Sequence, residues 1–226
     1  MPNRQNIKLD RDTESLRNTV LQMAHLAEQV LDKSLRALWE RSESLTAEVH
    51  EDDLAIDRLD IQIDDEVLRI LALNAPVASD LRLVVSSKAI AIDLERVGDL
   101  ARNISSSALR LSQRPELSLP ADLHAMADDS RSALRAAVKA FADLDAAAAR
   151  AVLDGDDRID DQERRIVGES IDRLAAKPQT SKQEVDLIFI ARNLERVGDH
   201  ATNIAEEVVL VAEAINLKHA AKLEGG

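Results

Sequence analysis

The sequence predicts an all-α protein built as two homologous three-helix bundles in tandem. First, the phrase Asp93-Leu-Glu-Arg-Val-Gly-Asp-Leu-Ala-Arg-Asn-Ile104 returns as Asn193-Leu-Glu-Arg-Val-Gly-Asp-His-Ala-Thr-Asn-Ile204, displaced by 100 residues with nine of twelve positions identical. A period of that length repeats a domain rather than a solenoid unit. Second, 45% of the residues are hydrophobic, yet there is one Trp, two Phe and no Tyr, so Ala, Leu, Ile and Val supply the core. Such a composition favours helices. Third, six Gly and five Pro leave too few turn signals to separate short strands.

Taken in order, the first helix spans residues 12 to 41 and stops at the polar Ser42-Glu43-Ser44. The second, 45 to 73, ends at Asn74 and Pro76, a stop that a helix cannot cross. The third, 79 to 112, carries Ile90, Leu94, Val97, Ala101, Ile104, Ala108 and Leu111 at alternating steps of four and three, the seam of a bundle helix. Arg114 to Pro120, with prolines at 115 and 120, is the natural linker and divides the chain into domains 1–115 and 116–226. The fourth and fifth helices cover 121 to 144 and 147 to 175, before Lys177-Pro178. The sixth, 181 to 217, opens on Ser181-Lys-Gln-Glu184, a potential capping box, and repeats the seam as Ile190, Leu194, Val197, Ala201, Ile204, Val208 and Val211. Short connections make neighbouring helices antiparallel.

A net charge of −13 and the scarcity of aromatic rings argue against a nucleic-acid partner. Zero cysteines exclude disulfides and thiolate metal sites and are compatible with a reducing cytoplasm, where we expect the protein to reside. No stretch approaches the roughly 18 apolar residues of a membrane span, and Met1-Pro-Asn-Arg-Gln5 does not read as a signal peptide, so no direct membrane insertion is expected. Lys222 to Gly226 reads as a frayed tail or cloning remnant without function.

The candidate functional residues are acids beside the seams. Glu95, Asp99 and Asn103 stand at i, i+4 and i+8, as do Glu195, Asp199 and Asn203. The second helix adds Asp53, Asp57, Asp60 and Asp64; in the fifth, Asp157 and Asp160 correspond to Asp57 and Asp60, with Asp156, Asp161 and Glu163 nearby. Like charges at i, i+4 destabilise a helix by roughly 0.2–0.5 kcal/mol per pair, so something should offset them. Hard cations such as Mg, Mn, Ca or iron suit such oxygen donors. The alternative is a solvated face with local ion pairs, to which Arg96 and Arg196 would contribute. Gly98 and Gly198, each disfavoured by about 1 kcal/mol within a helix, point to close backbone approach or open access beside the acids. Arg164, where an acid opposite Asp64 is expected, makes the second set the weaker one. His200 reads as a surface or core-edge residue, and no Glu-x-x-His, Gly-rich phosphate loop, Ser/His pair or thiol supports catalysis.

The phrases Asp-Leu-Glu-Arg-Val-Gly-Asp and Asn-Leu-Glu-Arg-Val-Gly-Asp-His-Ala-Thr-Asn-Ile-Ala-Glu-Glu, with Ala75-Pro-Val-Ala-Ser-Asp-Leu-Arg82, resemble the signatures of the PhoU family over essentially the whole chain. The resemblance implies a negative regulator of the bacterial phosphate-starvation response and modulator of phosphate uptake. It implies coupling between a phosphate ABC transporter's ATPase and a phosphate-sensing histidine kinase. Through Glu/Asp-x-x-x-Asp motifs it also implies iron or zinc clusters: Glu95 to Asp99, Glu195 to Asp199, Asp53 to Asp57, Asp60 to Asp64, and Asp156 to Asp160 or Asp157 to Asp161. Fe, Zn, Mn and Mg are the candidate ions, and exposed bundle faces together with the resemblance suggest a homodimer. A carboxylate-bridged metalloenzyme acting on phosphate compounds and a metal-free helical scaffold are the competing readings.

Overall fold

A computed structural model describes residues 4–218, which leaves the Lys222 to Gly226 tail outside the described residues. The chain forms α1 (Arg4–Glu40), α2 (Glu43–Asn74), α3 (Ala78–Ser112), α4 (Ala121–Asp143), α5 (Ala146–Leu153), α6 (Asp156–Ala176) and α7 (Ser181–Glu213), with a 3₁₀ turn at Pro178–Thr180 before α7. No strand occurs among the described residues. α1, α2 and α3 make the first bundle, and α4, α5/α6 and α7 make the second. Both predicted seams are buried throughout, including Ile90, Leu94, Val97 and Ala101 and their counterparts Ile190, Leu194, Val197 and Ala201. Burying one such Leu, Ile or Val contributes about 1.5–3 kcal/mol relative to leaving it in water, which makes these seams the principal source of helix pairing.

The seam helices also join the repeats. Near one end Asp93 meets His200 and Asn203; at the other Arg110 and Arg114 meet Asp186, so α3 and α7 lie side by side and antiparallel. Asp186 is buried, and two guanidinium groups at 2.7 Å each satisfy both of its oxygens. That matters because an unpaired buried carboxylate would be strongly destabilising.

Several boundaries differ from those the sequence predicts. α1 begins at Arg4 rather than 12, with the Thr13 hydroxyl donating to the carbonyls of Leu9 and Asp10. The expected fifth helix is interrupted at Asp154–Gly155: Asp154 caps α5, and α6 starts afresh with Asp156 and Asp157 in its first turn, where acids complement the helix dipole. Ser181 is not an N-cap. It already has helical dihedrals, Thr180 precedes it without a side-chain cap, and Glu184, the other half of the expected box, is buried near Arg173. α7 stops at Glu213, four residues short of 217, because Ala214 turns into the left-handed region at φ 61°. The last carbonyls of α3, by contrast, are well served: Arg41 donates to Leu111, Ser112 and Arg114.

The register of the repeat also differs from the sequence-based one, and the difference is already present before the interruption, where N-cap Ser42 of α2 matches N-cap Asp145 of α5. Gly98 lies against Asp53 and Ile56, whereas Gly198 lies against Asp156 and Ile159. Val49 and Val152, Ile63 and Ile166, and Val67 and Ser170 are likewise buried pairs at the same offset. The α6 counterparts of Asp53, Asp57 and Asp60 in α2 are therefore Asp156, Asp160 and Glu163, a spacing of 103, while α3 and α7 keep 100. The sequence-based pairing of Asp57 with Asp157 is corrected accordingly.

Both motif glycines mark close helix approach. A Cβ on Gly98 would sit 2.9 Å from Asp53 Oδ1 and 2.9 Å from Ile56 Cδ1; one on Gly198 would meet only Ile159 Cδ1 below 3.4 Å, at 3.0 Å. Alanine gains about 1 kcal/mol in helix propensity, but overpacking a buried contact costs about 1–3 kcal/mol. Gly98→Ala is thus expected to destabilise by about 1–2 kcal/mol and Gly198→Ala to remain within about 1 kcal/mol of wild type. Urea melts measure both; a Gly98→Ala protein more stable than wild type would show that the close approach is not limiting.

Candidate functional site

Glycine contact brings α2 against α3, and α6 against α7, so that carboxylates on each pair form facing rows. In the first repeat Arg and Lys occupy the space between them. Asp53, only 2% exposed, accepts from Arg102 Nη1 at 2.6 Å, and the same guanidinium reaches Asp99 at 2.5 Å. Lys88 Nζ lies 2.9 Å from Asp60 and 2.7 Å from Asp64, while Arg96 approaches Glu95 and Asp99 at 3.4 and 3.1 Å. Burial raises the Asp53 carboxyl above its ordinary range against the pull of Arg102; burial and then Asp99 raise Glu95. Asp57 is exposed at the rim.

The second repeat has the acids without these cations. Thr202 stands where the first repeat has Arg102, and Ile188 where it has Lys88. Asp156, Asp160, Glu195 and Asp199 have no Lys or Arg within ion-pair distance among the described residues, and Glu163 has only the exposed Arg192 at 3.8 Å. Burial, followed by Asp199, Asp160, Glu163 and Asp156, pushes the Glu195 carboxyl up to about 7. Asp156 is raised by burial and then by Asp160, Asp199 and Asp157. Asp199 is raised by desolvation and Asp160, against His200 and Arg196. A groove of about 290 Å³ lined by Ala133, Ala148, Val152 and Gly198 adjoins Asp156.

Not every residue singled out in the sequence lies in these rows. Asp157 and Asp161 are exposed on the outer side of α6, where Asp161 pairs with Arg164 at 3.0 Å. Arg164 therefore does not intrude on the second cluster, and the reason for ranking that set as weaker disappears. Asn203 turns toward the other repeat and donates to Asp93 at 3.0 Å; Asn103 is exposed. His200 is a core-edge residue, 2.7 Å from Asp93. Among the described residues no group of three or more carboxylate, imidazole or thiol side chains is placed so that it could hold a metal ion. In donor type and charge the second repeat nonetheless suits a hard cation better than the first, because no Lys or Arg bridges its acids as Arg102 and Lys88 do in the first. Sequence reasoning missed Arg102 and Lys88, although the exchange of Arg102 for Thr202 inside the repeated phrase was the available signal.

Tandem three-helix bundles with an acid-lined helix pair in each repeat define the class, and among the described residues no helix is long and apolar enough to cross a membrane. The family model described as PhoU domain matches residues 20–108 and 123–208. The chain belongs to the PhoU family. It is 34% identical over 209 residues to the phosphate-specific transport system accessory protein PhoU homolog of Pseudomonas putida, covering 92% of this chain and 82% of that one. The Aquifex aeolicus homolog is 32% identical over 213 residues, covering 94% and 96%. The crystal structure of PhoU from Pseudomonas aeruginosa superposes with a TM-score of 0.88 at 31% identity over 91% of this chain and 99% of that one. The phosphate transport system regulatory protein PhoU from Streptococcus pneumoniae does so at 0.86 and 27%, over 92% and 99%.

Since folding raises the Glu195 pKa from 4.5 to about 7, the folded state retains a proton that the unfolded state loses between those values. Stability of the metal-free protein therefore falls as pH rises through that window. Glu195→Gln should remove this part of the pH dependence and melt higher than wild type at pH near 8, with the two closest below pH 4.5. Parallel melting curves for the two proteins at every pH would show that Glu195 is not under electrostatic pressure.

Proposed function

We propose that this protein is a non-enzymatic regulatory accessory of phosphate transport. The observation that carries the reading is similarity to phosphate transport accessory and regulatory proteins across both repeats and nearly the whole chain. In the finer reading it acts in the cytoplasm as a homodimer, contacts a phosphate transporter's ATPase and a phosphate-sensing histidine kinase, and favours the repressed kinase when phosphate is plentiful. The negative charge and lack of a base-stacking surface support action through protein contacts rather than through nucleic acid.

The metal reading is also a proposal. We place the favoured site at Asp156, Asp160, Glu163, Glu195 and Asp199, between α6 and α7, and the second at Asp53, Asp57, Asp60, Glu95 and Asp99, where Arg102 and Lys88 compete. When bound, an Fe, Zn, Mn or Mg ion supplies positive charge that offsets the mutual repulsion of the row. The protein's part is to hold the acids on two rigid helices and release their protons as the cation enters. The domain division at 115/116 is retained as the working boundary between the repeats.

Deleting the gene is expected to leave phosphate-starvation genes expressed in high phosphate, measured by a reporter. Normal repression, with neither kinase nor ATPase retained in a pull-down, would remove the regulatory assignment. For the metal, protein loaded with Mn, Zn or Fe and then dialysed should lose more bound ion through Glu195→Ala/Asp199→Ala than through Glu95→Ala/Asp99→Ala. Elemental analysis that finds no retained ion in the unmodified protein would leave both rows as ordinary acidic faces.

A further inference from the structure

The first repeat leaves two apolar strips in water. On α2, Leu54, Ile61 and Leu68 recur at steps of seven and share one side of the helix, with Ile61 and Leu68 64% and 65% exposed. On α3, Leu81, Val85 and Ile92 form the matching strip, and Val85 is 51% exposed. Between the strips runs the row that contains Asp57, Asp60, Asp64, Glu95 and Asp99.

The second repeat provides an internal comparison. At the offsets fixed by the glycine contacts, Leu54, Ile61 and Leu68 correspond to Asp157, Arg164 and Ile171, and Leu81, Val85 and Ile92 correspond to Ser181, Val185 and Arg192. The same fold with the same buried seam thus accepts charged or polar residues at four of these six positions. The bundle itself does not require apolar side chains there, and exposing a contiguous apolar patch is otherwise selected against.

We propose that this face of α2 and α3 docks an amphipathic, basic helix from a partner protein. Charge complementarity selects that occupant. Lys88, Arg96 and Arg102 leave the row between the strips net acidic, so a helix lying along it would set Lys or Arg on the carboxylates and its apolar residues on both strips. A second copy of this chain would bring two acidic rows together, and an anionic lipid surface would be repelled. The inference rests on the adaptor reading for its biological meaning and names the chemistry of one contact in it; because it uses Asp57, Asp60, Glu95 and Asp99, a cation in the first-repeat row would compete with it.

The probe is a fluorescent Leu/Lys peptide of about 18 residues, five turns of helix, with Leu at heptad spacing. Its scrambled isomer is the control. In anisotropy titrations with the full chain, the ordered peptide is expected to bind and to weaken as NaCl rises from about 0.05 to about 0.5 M. Ile61→Arg/Ile92→Arg, which installs the residues of the second repeat, should weaken it at least about tenfold. Ile171→Arg/Val185→Arg adds the same charge to the other repeat and should bind as wild type. Leu81→Ser, a milder change matching Ser181, keeps the question open to test if the double variant fails to fold, with a loss of about threefold expected. Equal binding by Ile61→Arg/Ile92→Arg or by the scrambled peptide overturns the proposal. So does a wild-type dimer that these substitutions make monomeric, which would assign the face to a second copy, or wild-type retention on phosphatidylserine vesicles that the variant loses. Peptide binding through this face together with normal repression in the deletion strain would remove the adaptor reading and leave the surface standing.

Discussion

Close helix contact at Gly98 and Gly198 is the constraint from which the rest of the arrangement follows. Omitting a side chain at these positions lets α3 settle on Ile56 and α7 on Ile159, which buries the seams but also presses one row of acids toward another. Apolar burial drives the approach; electrostatic repulsion is its consequence. Each repeat must then dispose of that repulsion, and the two do so differently. Arg102 bridges Asp53 and Asp99, and Lys88 bridges Asp60 and Asp64, whereas Thr202 and Ile188 bridge nothing comparable. The raised Glu195 carboxyl is the residue of charge that packing has concentrated and no side chain has cancelled.

The antiparallel pairing of α3 with α7 joins these two solutions mechanically. Its polar contacts sit at the ends of the contact rather than in its apolar middle: His200 and Asn203 on Asp93, Arg110 and Arg114 on Asp186. Buried pairs of this kind contribute little net stability but penalise any misaligned register, because slipping one turn would strand a carboxylate. His200 neighbours Asp199 in sequence and Asp93 in space, so one side chain touches both an acid of the second row and the pairing of the repeats.

Much of the architecture was legible because the information is periodic. The Ile90 and Ile190 seams and the twelve-residue phrases share one spacing, and the family resemblance followed from the same residues. Less was legible where helical periodicity continues through a break. Residues 147 to 175 read as one helix, since a lone glycine within a helical pattern is tolerated, and only three-dimensional contact reveals that Asp154–Gly155 ends one helix and that α5 and α6 both stand at an offset of 103 rather than 100 from α2. Ser181-Lys-Gln-Glu184 misled for a related reason: the capping pattern was present, but the 3₁₀ turn before it places Ser181 inside the helix. That acids stand beside the seams was legible from their spacing; which of them are bridged depends on the reach of Arg102 and Lys88, and stripe arithmetic does not contain that length.

Duplication makes each repeat a control for the other, which gives the differences between them more weight than any single side chain. What both keep is what the fold requires: the seam, the glycine, and the Glu-Arg-Val-Gly-Asp phrase. What they exchange is how charge and apolar surface are handled. The first repeat bridges part of its acidic row with Arg102 and Lys88 and exposes Leu54, Ile61 and Leu68; the second has no such bridges and covers the equivalent outer face with Asp157 and Arg164. Relaxed drift would blur both features in both halves. Their opposite distribution is the ground on which the two proposals, a cation at the second row and another polypeptide at the first face, stand apart, with the α3/α7 contact lying between the repeats.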